Sequence, residues 1–223
     1  MKPSPANLEL STEAMQRMGE ACLRAVVDHI TELPNSPRAN LENIVAIAKS
    51  LRETLPETGT DFAALLNFLM ERVIPVSINT AHPAYMGYIP GGGLFPSAIA
   101  DFLAAATNRY VGAWYAAPAA ARLEANVLDW FAELMGYPKT SRGIMTTGGS
   151  LANFSGVVTA RKHILGDDIA KGTLYCSDQT HHSVMKAAML AGIPERNLRL
   201  LPPDENYRTI PDRFEEAIKA DLQ

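Results

Sequence analysis

The chain has 223 residues, 47% of them hydrophobic, and a formal net charge of −4. That suffices for one large domain, or a domain with an appendage, built around a packed core. The acidic balance, with a pI near 5.7, excludes the basic face or stripe of a nucleic-acid-binding surface. Cys22 and Cys176 lie far apart and lack the spacing of a zinc site or disulfide framework, so both are expected as core thiols in a reducing compartment.

The opening stretch, "MKPSPANLELSTEAM", lacks the apolar run of a secretory leader, and no segment offers about 18 consecutive apolar residues to span a bilayer. A cytoplasmic protein without nucleic-acid or membrane partners is the expectation. Nothing repeats internally, and no metal-ligating cluster stands out.

The first third reads as helices. Behind Ser11, a candidate N-cap, Met15, Met18, Cys22, Val26, Ile30 and Leu33 recur every three or four residues up to Pro34. Leu41, Ile44, Ala48, Leu51 and Leu55 predict a second helix ending before Pro56. Asp61 caps a third carrying Phe62, Leu65, Leu69 and Val73 before Pro75. Each has a one-sided apolar stripe that needs cover from a following domain or a partner chain. "HPAYMGYIPGGGLFPS", residues 82–97, mixes aromatics with Gly and Pro and predicts an irregular loop. Ser97 is expected to cap a helix through Ile99, Phe102, Leu103 and Ala106, and another runs from about Ala119 to Met135, stopped by Gly136 and Pro138.

From residue 143 the pattern becomes strand, turn, helix. "GIMTT" leads into "LANFSGVVTARKHIL", "GTLYCS" into "HHSVMKAAMLAG", and "NLRLLP" into "PDRFEEAIKADL". Alternation at about thirty residues per unit predicts parallel strands joined by helical crossovers. Ligands of such sheets gather where strands turn into helices. Gly148, Gly149 and Ser150 occupy one such turn, where glycines let an anion approach the first N–H groups of a helix and a hydroxyl adds a donor. The turn is neither a Walker loop nor a dinucleotide fingerprint, and taken alone it is more often structural. Asn153 can support it from one turn inside the helix. A second strand end places His181 and His182 at a helix start, with Asp178 a candidate N-cap carboxylate.

"HPAYMGYIP", "WYAAPAAARLEANVLDWFAELMGYP", "TTGGSLANFSGVVTARKH" and "SDQTHHSVMKAAMLAGI" together resemble the group II pyridoxal-phosphate-dependent decarboxylases, the family of aromatic L-amino-acid decarboxylase. The resemblance covers most of the chain from about residue 8. It implies an α/β fold of aspartate-aminotransferase type (PLP fold type I), with a helical segment over residues 1–80 that packs across a homodimer. Residues 81–223 would then form the first part of the large domain that binds pyridoxal 5'-phosphate. Gly148, Gly149 and Ser150 match the phosphate site. His181 matches the histidine that stacks on the pyridine ring and takes part in proton transfer. His182 stands where the family has a small residue, which leaves open which imidazole stacks. Tyr88, Ile89 and Pro90 match a loop lining the substrate pocket near the dimer interface. Aromatic-type members carry a threonine after that proline where this chain has Gly91, so the resemblance leaves aromatic, acidic and diamino acids all open as substrates.

The family also uses an aspartate beneath the pyridine nitrogen and a lysine that binds the cofactor covalently. None of Lys2, Lys49, Lys139, Lys162, Lys171, Lys186 and Lys219 follows a strand in the family's His-Lys setting. The chain is therefore expected to be a fragment of a longer enzyme, dependent on a partner for solubility and inactive alone. Decarboxylation of an L-amino acid is the leading reading. Another reaction on this fold, amino transfer or desulfuration, and a noncatalytic dimerisation module are the alternatives.

Overall fold

The structure, a computed structural model, describes residues 9–223; Lys2 and most of the stretch read for a leader lie outside the described residues. The chain divides into two compact units, Met1–Arg109, described from residue 9, and Tyr110–Gln223.

The first unit is helical. α1 (Thr12–Glu32) opens on Ser11, whose hydroxyl accepts from the Ala14 N–H at 3.2 Å. Glu13 sits in that first turn, and its carboxyl is held below the ordinary range by a backbone hydrogen bond and by the Ser11 hydroxyl. α2 (Ile44–Ser50) is much shorter than the expected span from Leu41 to Leu55. Asn43 takes a left-handed conformation just before it, with φ of 54°, and Pro56 pushes the preceding residue out of helical geometry. α3 (Phe62–Phe68) starts under Asp61, whose carboxylate accepts from Ala63 N at 3.0 Å and Ala64 N at 3.2 Å. A single π turn, Leu69–Val73, extends it. α4 (Phe95–Thr107) begins two residues ahead of Ser97 because Pro96 fits the first turn, where its missing N–H has no partner to lose.

α1 packs on α3, but not through the expected stripe. Its half-buried positions are Ala14, Met18, Ala21, Ala25 and His29, while Met15, Cys22, Val26 and Ile30 face solvent. Cys22 is thus exposed rather than a core thiol. Small residues let the two helices approach, and the bulky face is left without a partner among the described residues.

The second unit carries the expected alternation. α5 (Pro118–Leu134) ends where Gly136 takes φ of 71°. Tyr137 N donates to Ala132 O and Gly136 N to Glu133 O, closing the helix in a Schellman motif. α6 (Gly149–Leu165) is followed by β1 (Leu174–Ser177), α7 (His182–Leu190), β2 (Leu198–Leu201) and α8 (Pro211–Asp221). β1 and β2 pair in parallel, in register from Leu174 with Leu198 to Ser177 with Leu201. The expected strand at "GIMTT" runs into α6 without a hydrogen-bonded neighbour among the described residues, and Ile144 and Met145 stay exposed. A strand exists only through its ladder, and this one lacks its partner.

The core of this unit lies under α7. Gly172, Cys176, Ser183, Ala187, Ala188, Ala191 and Ile193 are its buried residues, with Ala188 wholly inaccessible. Three alanines on one face bring α7 close to α6, and Gly192, at φ of 83°, ends α7 in a second Schellman motif. Burial raises the Cys176 thiol above its usual range. At the sheet's margin Arg199 grips Asp221 through Nε and Nη2, and Tyr175 Oη donates to the same carboxylate at 2.6 Å. The Arg199 hydrogen bonds, then that of Tyr175, hold the Asp221 carboxyl below the ordinary aspartate range, and desolvation followed by Asp221 raises the Tyr175 hydroxyl.

Ala188→Leu is expected to over-pack the α6–α7 contact and destabilise the chain by about 1–3 kcal/mol, read as a lower urea midpoint. Asp221→Asn is expected to lower the melting temperature at neutral pH. Because the folded-state pKa is depressed, that contribution is complete above the unfolded aspartate value and lost as pH falls through the folded one, so the two melting curves converge in acid.

Candidate cofactor site

Thr146 to Gly148 form the turn between the extended segment and α6, whose first turn is Gly149 to Ala152. The Gly148 carbonyl accepts from Leu151 N and Ala152 N, both at 3.1 Å, and from the Thr146 hydroxyl at 3.1 Å. The N–H groups of Gly149 and Ser150 precede any carbonyl that the helix can offer them, so they point outward with the positive end of the helix dipole. A Cβ placed on Gly148 or Gly149 would meet no protein atom within 4 Å. Packing therefore does not demand glycine here. What the glycines provide is bare access to the amides, with Ser150 exposed beside them. Thr146 went unremarked in the sequence, although a hydroxyl two residues ahead of a glycine turn is a recognisable brace.

β1 delivers the second group. Asp178 N extends the ladder by donating to Leu201 O at 3.1 Å, and Thr180 N donates to Ser177 O at 3.0 Å, turning the chain toward α7. Asp178 is not the cap of α7; its carboxylate instead accepts from the Gln179 side chain. The cap is His181, whose Nδ1 accepts from Ser183 N at 3.2 Å and lies 2.8 Å from Ser183 Oγ. His182 leans on it, ring centroids 4.2 Å apart and planes tilted by 33°. Both imidazoles are exposed, while Ser183 is 3% exposed.

The two turns are joined from below. Asn153, one turn into α6, donates from Nδ2 to Ser183 Oγ at 2.8 Å. It supports not its own loop, as expected, but the neighbouring one. Gly148, Gly149, Ser150 and His181 thus stand on two helices linked by the chain Asn153–Ser183–His181.

Tyr88, Ile89 and Pro90 belong to the first unit, in an irregular loop as expected. Tyr88 has φ of 63°, a left-handed conformation uncommon for a bulky residue. Met86, Tyr88 and Ile89 are 94%, 86% and 98% exposed, an apolar tip with no packing of its own. All six described lysines are exposed, and Lys162, Lys171 and Lys219 are in ion pairs with Asp167, Asp168 and Glu215. No His, Cys, Asp and Glu cluster suited to a metal occurs among the described residues. No described helix is long and apolar enough to cross a membrane.

An open amide turn ahead of α6 and a capped imidazole after β1 make the candidate cofactor site of an α/β unit. Residues 46–223 match the profile described as pyridoxal-dependent decarboxylase conserved domain, and the chain belongs to that family, whose cofactor is pyridoxal phosphate. It is 31% identical to an aromatic-L-amino-acid decarboxylase of Bacillus atrophaeus, over 96% of this chain and 45% of the relative. Tyrosine decarboxylase 4 of Petroselinum crispum is 29% identical over 96% of this chain and 44% of its own length. Among solved structures, Oryza sativa TDC with PLP and tryptamine superposes with a TM-score of 0.86 at 23% identity, covering 98% of this chain and 50% of that one. That likeness shows the fold, the expected aspartate-aminotransferase type. The chain spans about half the length of the curated relatives it matches.

The residues present fit pyridoxal phosphate: exposed amides at a helix start suit its phosphate, and a fixed imidazole suits its ring. Gly149→Val is expected to leave folding nearly unchanged, since valine is no worse a helix former than glycine and its side chain enters open space. The same variant is expected to weaken pyridoxal phosphate binding by about tenfold or more, measured by absorbance titration.

Proposed function

We propose that the protein decarboxylates an L-amino acid with pyridoxal phosphate, releasing the amine and carbon dioxide, and that this chain supplies the phosphate- and ring-binding part of the site. The observation that carries the reading is the linked pair of turns, the open Gly148–Ser150 amides and the capped His181, within a chain of the decarboxylase family. When bound, the cofactor's ring accepts the electron pair left on Cα as carbon dioxide departs. The residues do the rest by position. Gly149 and Ser150 N–H groups, with the Ser150 hydroxyl, pin the anionic end. His181 covers the ring face and, through Nε2, presents a group able to move a proton near the reacting carbon.

Tyr88, Ile89 and Pro90 are assigned to the substrate pocket. An exposed aromatic held at positive φ suits a loop whose packing partner lies outside its own unit. The helical segment 1–80 is assigned to a homodimer interface, which the uncovered Met15, Cys22, Val26 and Ile30 face of α1 supports. Residues 81–223 are assigned to the first part of the cofactor domain. The cytoplasm is the compartment in keeping with this chemistry.

The covalent role is assigned to none of the six described lysines, which are exposed and have no His-Lys setting at a strand end. Borohydride treatment of the 223-residue chain with pyridoxal phosphate is accordingly expected to leave no pyridoxyl-lysine by mass spectrometry. A polypeptide that adds the lysine and aspartate is expected to yield amines from a panel of L-amino acids, and His181→Ala to lower kcat by about 10²–10⁴-fold. Formation of keto acids in place of amines would transfer the assignment to amino transfer.

A further inference from the structure

We infer that Ser183 is a positioning residue: it holds the His181 imidazole in one orientation and one tautomer, with the proton on Nε2, and Asn153 aims the Ser183 hydroxyl from the helix that carries the anion turn. This rests on the assignment of His181 to the cofactor ring and extends it to a residue that never touches the cofactor.

The argument begins with donors. A backbone N–H can only donate, and that of Ser183 is directed at His181 Nδ1 at 3.2 Å. Nδ1 is therefore an acceptor, and in a neutral imidazole the remaining nitrogen, Nε2, bears the hydrogen. The Ser183 hydroxyl, 2.8 Å from the same nitrogen, has its oxygen occupied by the Asn153 amide at 2.8 Å, which leaves its own hydrogen for Nδ1. Two donors thus meet one ring nitrogen.

Burial makes this arrangement stiff. Ser183 is 3% exposed and sits in the first turn of α7, beside the alanines that pack the helix against α6. A buried hydroxyl left unpaired is unfavourable, so the bond persists as long as α7 is docked. His181 is exposed, and without the two bonds its ring would rotate freely about the Cβ–Cγ bond. Serine, threonine, aspartate and asparagine are the usual helix caps, so an imidazole in that role spends its Nδ1 on the backbone and keeps Nε2 for chemistry. Asn153 then couples the ring to the anion turn: a shift of α6 reaches His181 through two hydrogen bonds.

Long-range ¹H–¹⁵N correlation spectra of the full chain labelled with [¹⁵N]histidine test this directly. His181 is expected to show an acceptor-type Nδ1 and a protonated Nε2, with the Nδ1-protonated tautomer a small minority. Ser183→Ala is expected to raise the Nδ1-protonated fraction about tenfold, Ser183→Thr to restore the original ratio, and Asn153→Ala to shift it in the same direction by less. In the holoenzyme Ser183→Ala should lower kcat about tenfold with KM and cofactor affinity unchanged. A ratio unmoved by Ser183→Ala in folded protein, or a wild-type His181 protonated on Nδ1, overturns the inference even if amines are produced. The expected spectra without any amine would overturn the proposed reaction and leave the role of Ser183 standing. Should Ser183→Ala not fold, Asn153→Ala decides: no tautomer change there refutes the relay.

Discussion

The hydrogen bond from the Ser183 backbone to His181 Nδ1 is the constraint on which the site depends. It is at once the N-cap of α7 and the anchor of the imidazole assigned above to the cofactor ring. Because the cap is the imidazole proposed for the cofactor ring, forming the first turn of α7 also orients it. Three alanines on the packed face of α7 remove bulk between it and α6, which brings Ser183 within reach of Asn153. The same close approach that makes the core also assembles the site.

The burial pattern divides labour between the residues. Gly148, Gly149, Ser150 and His181, which would touch a ligand, are all exposed; Ser183, which touches only protein, is buried. Exposed side chains are easily misplaced, since water competes for every bond they make. Placing the controlling hydroxyl in the interior isolates it from that competition. The Arg199–Asp221–Tyr175 cluster does comparable work farther off, clamping the end of α8 to the two strands.

Much of this was legible in the sequence, because the second unit is governed by local rules. Period and turn chemistry located α5, α6 and α7, and Gly136 and Gly192 mark helix ends as αL residues should. The glycine turn and the histidine pair stood out because strand ends are where ligands bind. The misses share one cause, which is that a single chain does not state its neighbours. The α1 stripe was assigned by hydrophobicity, whereas the observed contact uses Ala14, Ala21 and Ala25, where small size decides. "GIMTT" has strand-forming residues but no partner strand among the described residues, and Asp178 is a better cap by propensity than His181 yet accepts from Gln179. Ser183 was invisible as a functional residue because its role lies in a contact with Asn153 thirty residues away.

Those misses bear on how the chain is stabilised. In both units large apolar side chains remain open, Phe102 and Leu103 on α4 and Trp130 and Phe131 on α5 among them, and no large side chain is fully buried among the described residues. Apolar area of that kind is normally covered by further protein, at roughly 25 cal/mol for each Å² removed from water. Covering it would cost little in new ordering, since α4 and α5 are already formed. The α6–α7 contact buries Ser183, Ala187, Ala188 and Ala191, although Leu151, Ile164, Met189 and Leu190 on the same helices stay exposed. The proposed cofactor site thus rests on the part of the fold where the described residues pack most closely, and the exposed Tyr88–Pro90 loop lies where packing is absent.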